Sequence, residues 1–187
     1  DEIVELQGTA QQHNESTMAY NRQLSGLRDS KQIFRQKLNN MMQGSNNYGV
    51  RDVLRAMDWM DKEHDGHLSS GRLKAEVYGP VAMHMKVTDP AVAAMIERTT
   101  AKPKLYAFLA QNEADFKFVK DELRDRLGLK IDVFNMSNPA LPKPSLSKEN
   151  LSEFKDIGMM GYLGDEVECP GVVRSYLSIW NNFHLIM

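Results

Sequence analysis

Scarcity sets the first limits on this sequence. One cysteine, Cys169, stands in 187 residues, which excludes an internal disulfide and any multi-cysteine zinc site and fits a reducing compartment. No apolar run approaches the ~20 residues that carry a helix across a bilayer. The formal net charge is only −2, so no global basicity advertises nucleic acid or a membrane surface. Neither a P-loop nor a dinucleotide-binding glycine pattern occurs, so no phosphate cradle is encoded. The chain opens on Asp1-Glu2 rather than Met, which leaves room for a removed targeting segment. Asn14, Asn135 and Asn150 each begin an N-x-S triplet. Glycosylation there would also require secretion, and in a chain rich in Asn and Ser the triplets read as chance.

Proline is missing from residues 3 to 41, and a heptad rhythm fills them. The a seats are Ile3, Ala10, Thr17, Leu24, Lys31 and Leu38; the d seats are Leu6, His13, Tyr20, Leu27, Phe34 and Met41. Nine of these twelve seats are apolar or aromatic, and a sustained period of 3.5 marks a left-handed coiled coil. Ile3, Leu6, Ala10, Leu24, Leu27, Phe34, Leu38 and Met41 form its expected seam. Lys31 and His13 weaken that seam, either fixing register or marking places where the arm is locally loose; the second reading is slightly favoured. At 1.5 Å per residue the arm spans roughly 60 Å. It needs a second long helix, and the remaining sequence offers none. The chain therefore reads as a piece of a longer machine, cut where an arm meets a head.

The arm ends in the Gly- and Asn-rich stretch Gln43 to Gly49. A second helix is predicted from Val50 to about Glu63, with Val50, Val53, Leu54, Met57 and Met60 on one face. Asp65-Gly66 and Ser69-Ser70-Gly71 are expected to break it. Val81 to Val87 alternates like a strand. Asp89-Pro90 opens a helix to about Arg98, burying Val92, Met95 and Ile96. Lys104 to Ala110 reads as a mostly apolar strand. Asn112 caps a helix with Phe116, Val119, Leu123 and Leu127 on one face, and Gly128 stops it. Leu129 to Phe134 is a third strand, so the order predicts helices on a small, at least partly parallel sheet. Residues 135 to 147 are a loop, 148 to 156 a short helix, and Gly158, Gly161 and Gly164 force bends. Pro170 starts a helix with Val172, Val173, Tyr176, Leu177 and Trp180 facing the core. Phe183 to Met187 resembles a strand completed by something beyond it.

Candidate chemistry is sparse. Asp61-Lys62-Glu63-His64-Asp65-Gly66-His67-Leu68-Ser69 imitates the first nine positions of an EF-hand loop. Position twelve, which must supply a bidentate carboxylate to calcium, is Arg72. An acidic, glycine-broken helix end is the better reading, and no metal site is expected. His64 and His67 lie in the same solvated acidic cluster. Cys169 has no His or Asp constellation and reads as a small, partly buried residue. Leu24-Ser25-Gly26-Leu27 imitates part of an ATPase signature but sits inside the arm. Between 98 and 130, eight basic residues face five acids. Lys117, Lys120 and Arg124 share a helical stripe able to neutralise phosphates, although an ordinary solvated face is the weightier reading.

The order of elements after Gly79 resembles the first half of the hinge domain of the SMC (structural maintenance of chromosomes) family, in its five-type branch. Gly79-Pro80-Val81, Asp89 leading through Ala93 to Ile96-Glu97, and Lys104-Leu105-Tyr106-Ala107-Phe108 carry the resemblance. So do Asp115 with Glu122-Leu123-Arg124-Asp125, Leu129 to Val133, Leu151 to Leu163, Pro170 to Leu177 and Phe183 to Ile186. The family's aromatic-rich turn is replaced here by Ile157-Gly158-Met159-Met160, and its second hinge subdomain and returning arm helix have no counterpart.

The resemblance implies an α+β chain: a coiled-coil arm over 1–44, a helical junction over 45–78, and the first part of a hinge over 79–187. It implies no catalysis and no cofactor in this segment, with ATPase heads at the distant ends of the full-length protein. A six-type SMC subunit, the returning helix of the same full-length chain, and DNA, preferentially single-stranded, would be the partners. The setting would be the nucleus and chromosome, in DNA repair, recombination and the cell cycle. Lys102, Lys104, Lys117, Lys120, Arg124, Arg126 and Lys130 are the candidate DNA contacts. Two other classes compete: a coiled-coil adaptor whose α/β head binds only protein, and a calcium-responsive protein.

Overall fold

The computed structural model describes residues 2–43, 48–139 and 162–180, and of residues 2–10, 41–43 and 48 the backbone only. The chain divides into two compact units, Asp1–Asn46 and Asn47–Met187. The first is one helix, α1 (Glu2–Gln43), of 42 residues. The hydroxyls of Ser16, Thr17 and Ser30 donate back to the carbonyls of Gln12, His13 and Gly26, one turn earlier in the helix.

The second unit begins with α2 (Tyr48–Trp59), whose Val50, Val53 and Met57 are buried as their spacing predicts. Asp65-Gly66 does not break the helix. It widens into a π turn, Met60–His64, and continues as α3 (Asp65–Ser69), stopping only where Gly71 takes φ of 72°. The extra residue in the π turn rotates His64 inward, to 7% exposure. Its Nε2 accepts the Val77 backbone N–H at 3.2 Å.

Gly79-Pro80 then turns the chain through a cis peptide. Val81–His84 is a 3-10 turn rather than a strand, closed by the Met83 N–H on the Pro80 carbonyl at 2.9 Å. The turn drops Val81 into the core and leaves only Lys86–Val87 as β1. Local alternation is a weak guide here, because strand formation depends on a neighbouring strand being available. α4 (Pro90–Thr99) begins as expected, with Asp89 accepting the Ala91 N–H at 2.7 Å and Val92 and Ile96 buried.

The predicted strand from Lys104 is half helix. Pro103 fixes a helical φ in the first turn of α5 (Lys102–Leu105), and β2 covers only Phe108–Ala110. Asn112 caps α6 (Glu113–Lys120) by accepting the Asp115 N–H at 2.8 Å. The helix runs on as a second π stretch, Asp121–Arg126, and ends before Gly128 at φ of 65°. β3 (Val133–Asn135) starts later than Leu129, because the Leu129 and Lys130 N–H groups are already bonded to the Leu123 carbonyl and the Asp52 carboxylate. Leu129 and Ile131 are nevertheless buried.

After a 3-10 turn (Leu163–Glu166) come β4 (Val167–Glu168) and α7 (Gly171–Trp180). β2 and β3 pair in parallel with Phe108 opposite Val133, so strand, helix and strand from 108 to 135 form the expected parallel unit. β1 belongs instead to a separate antiparallel pair with β4. The core lies between these two pairs, with Val81, Leu109, Val173 and Tyr176 inaccessible to solvent. The expectations for 148–156, Gly158, Gly161 and Phe183 to Met187 lie outside the described residues.

Candidate functional site

The short helix α5 sends its two flanking lysines to different neighbours. Lys102 and Pro103 line a cleft of about 350 Å³ together with Tyr106, Lys130, Ile131, Asp132 and the α2 residues Val50 and Val53. Its lining is mostly apolar and includes two ammonium groups and one carboxylate. Lys104 turns the other way, its Nζ 5.1 Å from the Phe134 ring centroid and 4.8 Å from that of Trp180.

Those rings form a platform. Phe134, on β3, lies 5.2 Å from Trp180 and 5.0 Å from Tyr176, both on α7, at tilts of 50° and 57°. The Tyr176 hydroxyl donates to the Lys104 carbonyl at 3.1 Å, which ties α7 to α5. Burial pushes the Tyr176 phenol far above its ordinary range, and the Asp132 charge adds to the shift. Asp132 lines the cleft and lies two residues before Phe134 of the platform, so the two features are neighbours along the chain. The Tyr106 phenol is also raised, by burial and then by Glu97.

Of the seven basic residues singled out from the sequence, the fold gathers Lys102, Lys104 and Lys130 around this cleft and platform. Lys117 and Lys120 are exposed on α6. Arg124 and Arg126 are exposed on the π stretch that continues α6. Arg126 spends its charge on Glu122, with Nε donating to Oε2 at 2.7 Å. Along the seam of α1, Leu27 is 68% exposed, Leu24 and Phe34 are half-buried and Leu38 is buried. The side chains of Ile3, Leu6, Ala10 and Met41 lie outside the described ones.

Trp180 corrects an expectation. Helical spacing places it with Val173, Tyr176 and Leu177 on the core face, yet it is 49% exposed. It is the last residue of α7. No sequence signal joins it to Lys104, 76 positions earlier.

Residues 61–69 are helical throughout, and among the described residues no cluster of His, Cys, Asp and Glu is placed to hold a metal. Cys169 is half-buried, with its thiol pushed up by burial despite the nearby Arg174. Among the described residues no helix is long and apolar enough to cross a membrane.

No family model matches this chain. Among solved structures it is similar to the S. pombe Smc5/6 hinge domain, with a TM-score of 0.67 and 23% identity over 88% of this chain and 55% of that one. The SMC hinge domain of Geobacillus stearothermophilus, solved as an asymmetric dimer, aligns at a TM-score of 0.43 and 12% identity, over 86% of this chain and 64% of that one. The chain thus spans about half the length of the S. pombe hinge it matches. Its fold, a long N-terminal helix followed by a small mixed α/β region, is that of an SMC hinge.

Proposed function

We propose that this chain is the first half of the hinge of an SMC five-type subunit, together with its incoming coiled-coil arm. It would join a six-type subunit in a heterodimer and assist DNA binding in a complex for DNA repair, recombination and chromosome maintenance. The observation that carries this reading is the likeness to the Smc5/6 hinge directly behind a 42-residue helix with heptad patterning. The arm would pair with a returning helix of the full-length chain and pass the geometry of the hinge toward ATPase heads at the far ends. The protein would work in the nucleus, on chromosomes.

DNA would be held without catalysis or cofactor. Lys102 and Lys130 at the cleft, Lys104 at the platform, and Lys117, Lys120, Arg124 and Arg126 on α6 and its extension would meet phosphates. A complete hinge containing this segment, mixed with a six-type hinge, should form a one-to-one complex by light scattering. Failure to associate overturns the assignment of subunit type.

A second reading, a coiled-coil adaptor whose head binds only protein, is favoured by the net charge of −2. It predicts no affinity of the complete hinge heterodimer for DNA even at low salt.

A further inference from the structure

We propose that the exposed part of the Trp180 ring stacks against a base of single-stranded nucleic acid, with the Lys104 ammonium meeting the adjoining phosphate. The proposal rests on the DNA-binding reading above and names the contact that reading lacks.

Three observations carry it. Trp180 keeps 49% of its surface in water, although Tyr176 and Leu177 on the same helix are buried at 0% and 1%. The indole does not hang free: Phe134 packs against it at 5.2 Å and the Lys104 ammonium sits 4.8 Å from its centroid. A ring already held in one orientation loses little conformational freedom when a ligand lands on it. A ligand for this spot must offer a flat π face to the ring and a negative charge to the lysine. A nucleotide offers both. In duplex DNA the base faces are hidden in the stack, so a single strand is the form that fits. The cleft beside the platform extends the path, since Lys102 and Lys130 can meet further phosphates while Asp132 restricts where the backbone passes.

Trp180 also supplies the readout. The chain has two tryptophans, and the other, Trp59, is 5% exposed and stacked on His67 at 5.7 Å. Oligo-dT titrated into this chain at low salt should quench tryptophan fluorescence, and duplex of equal length should quench far less. In the complete hinge heterodimer, Trp180→Leu should weaken oligo-dT binding by about ten-fold or more, and Trp180→Phe should stay within about three-fold. Lys104→Gln should lower the slope of log affinity against log salt by about 0.7, and Trp180→Leu should leave that slope unchanged.

Oligo-dT binding with unaltered fluorescence and full affinity in Trp180→Leu overturns the stacking contact while leaving the DNA-binding function standing. Binding of no oligonucleotide overturns both. Equal quenching by duplex, or stronger quenching by an acidic, tyrosine-containing peptide, overturns the single-strand assignment. Should Trp180→Leu fail to fold, the fluorescence titration and the Lys104→Gln salt slope still decide.

Discussion

The carboxylate of Asp115, fully inaccessible to solvent, accepts the backbone N–H of Lys74 through both oxygens, at 2.9 and 3.1 Å. The Ala75 N–H adds a third bond at 2.9 Å and the Asn112 side-chain amide a fourth at 2.5 Å. One buried side chain on α6 thereby pins the bent segment between α3 and Gly79. Asp115→Ala leaves two part-buried backbone donors, the Lys74 and Ala75 N–H groups, without this acceptor, each costing on the order of 1–3 kcal/mol where it is shielded from water. A loss of about 2 kcal/mol or more in denaturant unfolding is expected, with Asp115→Asn falling between the unsubstituted protein and Asp115→Ala.

Gly79 has no room for a side chain. A Cβ there would come within 2.3–2.9 Å of three Phe108 ring carbons, and Phe108 is fully buried in β2. Gly79→Ala should cost about 3 kcal/mol or more, because an overpacked aromatic must leave its rotamer or move the strand. Pairing it with Phe108→Leu should recover part of the loss, measured as a coupling energy in a double-mutant cycle.

The buried phenol of Tyr176 makes stability depend on pH in the alkaline range. Its folded-state pKa is raised, first by burial and then by Asp132. The phenol therefore contributes fully below the unfolded value of about 10 and loses its contribution as pH rises beyond it. Unfolding free energy should fall above about pH 10, with tyrosinate absorbance appearing together with loss of helix. Tyr176→Phe should flatten this decline while costing about 1 kcal/mol at neutral pH for the lost bond to the Lys104 carbonyl.

Caps and cores were legible in the sequence because their chemistry is local. Asp89 and Asn112 cap the helices they precede, and Val92, Ile96, Val119 and Leu123 are buried where the period of 3.6 puts them. Strand limits were not. Val81 turns on Pro80, Lys104 is captured by a helix started at Pro103, and Lys130 gives its N–H to Asp52. Each outcome depends on a partner distant in sequence or on a turn that competes with extension. The two π stretches left no periodic trace that propensity could read. The local basic excess was visible in the sequence, whereas the contact of Lys104 with Phe134 and Trp180 exists only after β3 and α7 have packed.

His64 serves as an acceptor inside the fold. The Val77 N–H reaches its Nε2 at 3.2 Å, so the ring proton belongs on Nδ1, which faces Asp65 Oδ1 at 3.2 Å. Replacing the ring by Ala leaves the Val77 donor buried without a partner, at a cost of about 1–3 kcal/mol. Hydrogen exchange should show the Val77 amide losing protection in His64→Ala. His64→Asn, whose side chain is too short to reach, should behave the same way. An unchanged exchange rate in both variants would show that the bond contributes nothing to stability.

The arm makes a prediction that depends on what it is paired with. Leu27 is 68% exposed on α1, and Arg28 beside it is exposed too. In this 187-residue chain, Leu27→Asp and Arg28→Asp should both change stability by no more than about 0.5 kcal/mol, as surface substitutions do. In a longer chain containing a returning helix, Leu27 occupies a d seat and Arg28 does not. There Leu27→Asp should cost about 2–3 kcal/mol, through lost apolar burial and a carboxylate forced into the seam. Arg28→Asp should stay near neutral. Thermal unfolding of the two variants in both lengths separates the cases. Equal effects of the two substitutions in the longer chain would mean that the heptads of α1 do not form the seam their spacing describes.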